Sequence, residues 1–216
     1  NRILLRSPAG VQGVELVNIS DKTIDLYDPN DLSRTWILGG AVFKLPAGIK
    51  LAPGGRLRIV NRTPADVCMQ NGQSGGALIT GPLMMPLTEA GVDLTIMQPI
   101  SFGGVATYTA ADRVRYRNHG PWPPLTGSIV TLQRRSLNGF GDDAMNWDVV
   151  PSSFVDTVDA FSISAESMSL CTFDAFAAEK GVRVEWVSPA PPPGTKFQLV
   201  RTRVDDLQTP EVVAEV

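Results

Sequence analysis

Apolar and polar residues alternate with a period of two in short runs along most of the chain, and helical periodicity is nearly absent. In "GVELVN" Val14 and Leu16 face one way and Glu15 the other, the pattern of a half-buried strand. "TIDLYDPND" continues it with Ile24 and Leu26 inward, before Asp28-Pro29-Asn30-Asp31 turns the chain. "TWIL" and "AVFKLP" follow as strands split by Gly39-Gly40. "APGG" then leads into "RLRIVN", with Leu57 and Ile59 inward and Arg56 and Arg58 outward. Alternation returns in "VDLTIM" (Val92, Leu94 and Ile96 inward), in "DRVRYR" (Val114 and Tyr116 inward, the arginines outward) and in "SIVTLQR". Runs of this length, bounded by Gly, Pro, Asn and Asp, predict about six to eight antiparallel strands before Val150, an all-β sandwich.

Three stretches break the pattern. Residues 61–91 are irregular: a short helix is expected around Pro64 to Met69, "QNGQSGG" is flexible, and "LITGPLMMPL" is interrupted by Pro82 and Pro86. That segment reads as a surface connection packing Met84 and Met85 on the core, with a binding groove as the lesser alternative. In "HGPWPPLTGSIVTLQRR" the prolines forbid helix and central strand, which predicts a rigid extended crossing that pins one large aromatic, Trp122, ahead of an alternating strand. Past Val150 the polar "VPSSFVDTVDAFS" reads as a linker over 151–164. Beyond it, "LCTFDAF", "VRVEWV", "KFQLVRTR" and "VVAEV" read as strands, with "SPAPPPG" a stiff turn among them. Four strands fall short of the about seven in a complete sandwich, so residues 165–216 form a partial second unit. "VVAEV" would expose an edge that a neighbouring subunit's strand could fill, although a cut chain is the simpler account.

Composition narrows the function classes. The 216 residues include 17 prolines and 20 glycines, in keeping with many turns. A net charge of −3 gives no electrostatic reason to expect nucleic acid or an anionic membrane. No apolar run approaches the roughly 20 residues that span a bilayer. A chain beginning at Asn1 without a leader reads as a processed or excised piece. Cys68 and Cys171 are too few for a disulfide framework, and a pair or two buried thiols fit equally.

Candidate chemistry is sparse. His119 is the one histidine, and no G-x-S-x-G elbow or reactive-cysteine context accompanies it, so it reads as a turn residue. Asp25, Asp28, Asn30 and Asp31, and again Asp142, Asp143 and Asn146, read as turns; calcium is the lesser alternative, since neither loop has the full register of a calcium loop. Arg113, Arg115 and Arg117, with Arg134 and Arg135, form a basic strand face that reads as solvated, with an acidic partner second and nucleic acid last. "NGQSGG" and "ISFGGVA" do not sit between strand and helix, as a phosphate cradle requires. No catalytic, cofactor-binding or metal residue is therefore expected, and the chain reads as a non-enzyme.

"GVELVNISDKTIDL", Trp36, "FKLPAGIKLAPGGRLRIVN", "GVDLTIM", "DRVRYRNHGPWPPLTGSIVTLQR" and "GDDAMNW" ending at Trp147 occur in an order that resembles a bacterial-type lamin tail domain. That family is an immunoglobulin-like sandwich of nuclear lamins, found also in bacterial surface and secreted proteins. The resemblance covers roughly residues 2–150 and departs at 63–91 and at "QPISFGGVATYTA", which look like extra loops. "FDAFAAEKGVRVEWVSPAPPPGTKFQLVRTR" resembles, more weakly, the first half of a fibronectin type III-like domain. Together the resemblances imply a structural or interaction module of an exported or cell-surface protein, with protein partners and self-assembly through exposed β-edges. They also put Trp122 over the open end of the sandwich. An accessory carbohydrate- or protein-binding domain of a secreted hydrolase is the alternative.

Overall fold

The computed structural model describes residues 1–63, 66, 78–102 and 105–152, and the backbone of four later strands. The strands in chain order are β1 (Arg2–Arg6), β2 (Gly13–Val17), β3 (Ile24–Asp25), β4 (Tyr27–Asp28), β5 (Asp31–Thr35), β6 (Ile37–Gly39), β7 (Phe43–Lys44), β8 (Lys50–Leu51) and β9 (Arg56–Val60). There follow β10 (Leu78–Thr80), β11 (Gly91–Phe102), β12 (Val105–Arg117), β13 (Val130–Arg134) and β14 (Trp147–Val150). The later strands are β15 (Thr172–Ala178), β16 (Gly181–Val187), β17 (Gln198–Arg203) and β18 (Asp206–Glu215). Among the described residues the chain is all-β, as the alternation predicts.

Two sheets make the sandwich. One runs β10-β9-β2-β1-β13-β14 and the other β12-β11-β6-β7. All pairings are antiparallel except β9 with β10, which is parallel. A single core joins Ile3, Val14, Leu57, Ile59, Val130 and Leu132 of the first sheet to Leu38, Phe43, Leu94, Ile96, Val114 and Tyr116 of the second. Each of these residues occupies an alternate strand position, so the period-two pattern is what delivers them inward. The outer face of the first sheet carries a smaller cluster of Leu4, Val11 and Val60.

Gly40 shows why a glycine pair splits β6 from β7. Its φ is +83°, and a Cβ there would lie 1.9 Å from the Asp93 carbonyl oxygen. Only glycine lets β11 come this close to the turn.

Trp122 and Trp147 are both buried in the core, their ring centroids 6.2 Å apart. The proline stretch is not extended as expected. It turns sharply: the Trp122 N–H donates to the His119 carbonyl (3.2 Å) and the Gly120–Pro121 peptide is cis.

Three other expectations need correction. Glu15 and Arg58 do point away from the core, but they are 0% and 1% exposed, not solvated. Arg2, Glu15 and Arg58 sit opposite one another across β1, β2 and β9, so the charges compensate sideways within the sheet. Met84 and Met85 are exposed, while Leu83 and Leu87 of the same segment are buried, because the segment turns its leucines inward instead. "QPISFGGVATYTA" is no loose loop. It carries β11 and β12 outward as a two-stranded arm, paired from Met97–Ala110 to Phe102–Val105.

Past residue 171 the four expected strands are present as two antiparallel pairs, β15 with β16 and β17 with β18. The expected linker beyond Ser152, "QNGQSGG", "SPAPPPG", Cys68, Cys171 and all but Asp66 of the expected short helix lie outside the described residues.

Candidate functional site

At one end of the sandwich the two sheets part around a cleft of about 610 Å³. Strand β2 and its exit (Leu16 to Ser20) form one wall, β11 and β12 the opposite wall through Ile96, Gln98, Ala111 and Asp112, and the 134–140 segment closes the rim. The floor is apolar, with Leu26, Leu51 and Ile96 buried and Trp36 packed against the core. At the mouth, Ile19 is 58% exposed, Leu137 38% and Phe140 86%. Three large apolar side chains thus converge from two distant chain segments.

The walls are held by local polar contacts. Asn18 is buried; its Nδ2 donates to the carbonyls of Lys22 (2.7 Å) and Leu51 (2.8 Å), and its Oδ1 accepts from the Ser20 N–H (2.9 Å) and hydroxyl (2.8 Å). This fixes the loop that presents Ile19, and it uses the amide fully. Across the cleft, the Arg134 guanidinium pairs with Asp112 and lies 5.2 Å from the centre of the Trp147 ring. Asn146 accepts from the Ser136 N–H (2.9 Å) and donates to its carbonyl (3.0 Å), and Trp147 Nε1 donates to the Gly141 carbonyl (2.9 Å). These bonds hold both ends of the segment that carries Leu137 and Phe140.

Of the candidate residues read from sequence, Arg134 lines the cleft, while the others lie elsewhere and meet only in ion pairs such as Arg115 with Asp142. His119 is exposed, with Nδ1 3.2 Å from the Gly120 carbonyl. Arg113 pairs with Asp93, Arg115 with Asp142 and Arg135 with Asp148. A side-chain hydrogen bond from Arg113 holds the Asp93 carboxyl below the ordinary carboxylate range, and Arg135 does the same for Asp148. The expected single basic face is not formed, since Arg113, Arg115 and Arg117 lie on β12 of one sheet and Arg134 on β13 of the other, and four of the five arginines are paired with carboxylates. Asp28 binds Arg34 (2.8 Å) and caps the Asn30 N–H (3.0 Å), and Asp31 accepts from the Ser33 N–H (3.0 Å) and hydroxyl (2.6 Å). Asp143 caps a single 3₁₀ turn, Ala144–Asn146, by accepting from the Met145 N–H (3.0 Å). Both acidic loops thus spend their carboxylates on turns and ion pairs. Among the described residues, no three His, Cys, Asp or Glu side chains come together as a metal cage would require.

Sequence reasoning did not find the cleft. Ile19, Trp36 and Phe140 are far apart in the chain, and no local pattern marks them as neighbours. No family model, curated protein or solved structure matches this chain.

Proposed function

We propose that this chain is a non-catalytic interaction module of an exported or cell-surface bacterial protein, an immunoglobulin-like sandwich of the lamin tail type followed by a fibronectin-like unit. On this reading the cleft seats an apolar segment of a partner protein. The observation that carries it is the exposure of Ile19, Leu137 and Phe140 around one apolar-floored cleft. Exposed apolar side chains scattered singly mean little, but grouped at a concave mouth they mark a contact surface. The cleft volume of about 610 Å³ falls within the usual range for ligand sites. At its edge Arg134 is paired with Asp112 through Nη2 while its buried Nε keeps no partner, so recognition would rest on shape and burial of apolar area with that one donor beside it.

A second reading, carbohydrate binding, is favoured by one specific feature. Trp36 and Phe140 line the same cleft as the amides of Gln98 and Asn138, the pairing of ring face and hydrogen-bonding groups that sugars use.

Titration of the full chain with an apolar heptapeptide panel and with an oligosaccharide panel, read by tryptophan fluorescence, tests both. Saturable binding of peptides that Phe140→Asp weakens tenfold or more supports the proposal. Saturation by oligosaccharides alone transfers support to the second reading. Binding of neither at millimolar concentration refutes the cleft as a site.

A further inference from the structure

The arm formed by β11 and β12 has one covered side and one open side. On the β11 side the β4–β5 hairpin packs alongside. From that hairpin Arg34 lies across the arm, donating to the Ile100 carbonyl (2.6 Å) and reaching the Ser101 hydroxyl (3.3 Å). Pro99, which has no N–H to offer a further strand, also occupies β11. On the other side β12 is the last strand of its sheet. Near the sandwich its outer edge is closed by carboxylates: the Arg113 N–H donates to Asp112 Oδ1 and the Arg115 N–H to Asp142 Oδ1, both at 2.8 Å. Farther out, from Val105 to Ala110, every residue is exposed, and no such cap occurs among the described residues.

Edge strands are normally protected by charge, proline, a bulge or a cover. A one-residue bulge lies at Ala111, where Ile96 pairs with Asp112 and Met97 with Ala110. Beyond it the edge sequence "VATYTA" has β-branched and aromatic residues and no proline. Between Asp93 and Asp112 the chain carries no charged residue at all. Carrying the alternation of β11 through the bulge turns the outward backbone groups to Ala106, Tyr108 and Ala110. The open β12 side of so narrow a ribbon is also marginal, and a further strand there would stabilise it.

We propose that the open edge of the arm pairs antiparallel with the same edge of a second copy of this chain, joining two arms into a four-stranded sheet. With the two-fold axis at Tyr108, Ala106 of one copy faces Ala110 of the other. The lack of charge is what selects a second copy: a self-pairing edge places identical side chains near each other, and any lysine or glutamate here would repel its mate. The contact is isologous and uses up the open edge. With Pro99 and the β4–β5 hairpin on the far side, association stops at the dimer and does not grow into a fibre. This surface is separate from the mouth of the cleft, so the two can fail independently.

Sedimentation velocity of the full chain from about 10 µM to about 1 mM, where contacts of this limited size associate, tests the proposal. The wild type is expected to pass from monomer to dimer across that range. Ala106→Pro removes an outward donor without touching the arm's own ladder, and Tyr108→Lys places a charge on the axis. Each is expected to remain monomeric throughout with an unchanged melting temperature. Should Ala106→Pro fail to fold, Tyr108→Lys decides. A wild type that stays monomeric at every concentration, or a dimer that survives in a folded variant, overturns the proposal.

Discussion

Glu15 offers the sharpest test of what holds the first sheet together. Its carboxylate is fully buried and accepts from Arg56 Nη1 at 2.6 Å, Arg58 Nε at 3.1 Å and Asn1 Nδ2 at 2.7 Å, with Arg2 Nε at 3.9 Å. Glu15→Gln keeps the shape and deletes the charge. Arg58, with a side chain 1% exposed, then loses its ion pair with Glu15. Breaking a buried pair from one side costs about 3–5 kcal/mol. Arg56 is 37% exposed and can turn to water, which favours the lower end. At about 2–4 °C per kcal/mol for a chain of this size, the melting temperature should fall by at least about 6 °C. Circular dichroism melts with guanidinium titration measure it. A loss below about 1 kcal/mol would refute the reasoning, since exposed pairs are worth no more than that.

The same pair sets a pH dependence. Burial raises the Glu15 pKa, but Arg58 and Arg56 outweigh it and hold the group below its ordinary 4.5. A carboxyl whose pKa is lower folded than unfolded stabilises fully above the unfolded value and loses that contribution as pH falls through the folded one. The stability gap between wild type and Glu15→Gln should therefore be constant near neutrality and close on acidification below about pH 4.5. A gap that widens in acid would contradict the assignment.

Trp122→Ala should cost about 3–5 kcal/mol, as for other large core truncations, and a melting-temperature loss under about 2 °C would count against its role beside Trp147. Gly40→Ala should destabilise by several kcal/mol or abolish folding, because the new Cβ meets the Asp93 carbonyl oxygen at a φ of +83°; an unchanged denaturation midpoint would refute that close approach. Phe140→Asp should leave stability within about 0.5 kcal/mol, since the side chain is 86% exposed, and a larger loss in the same melts would show that it packs into the fold.

Strands that bury one face announced themselves. Val14, Leu57, Ile59, Leu94, Val114 and Tyr116 are all where period-two alternation puts them. What alternation cannot report is how wet the other face is. Glu15 and Arg58 read only as outward-facing, and it is their register across β1, β2 and β9 that shows them paired and buried there. The arm was misread for the opposite reason. With both faces exposed beyond the bulge, Val105 to Ala110 has no buried face to generate a pattern, so the strand is recognisable only from its pairing. Within "PLMMPL" hydrophobicity alone could not separate Leu83 and Leu87, which are buried, from Met84 and Met85, which are not. The cleft was the least legible feature, because it exists only after β2, β11, β12 and the 134–140 segment meet.

The central claim, that this molecule works by seating a partner in the end cleft, is tested most directly by mapping chemical shifts of the isotopically labelled chain during titration with the tightest peptide of the panel. The account predicts saturable shifts at the Ile19 and Leu137 methyls and the Trp36 indole, absent in Phe140→Asp. Shifts scattered over the arm or around His119, with Ile19, Trp36 and Leu137 unmoved, would contradict it.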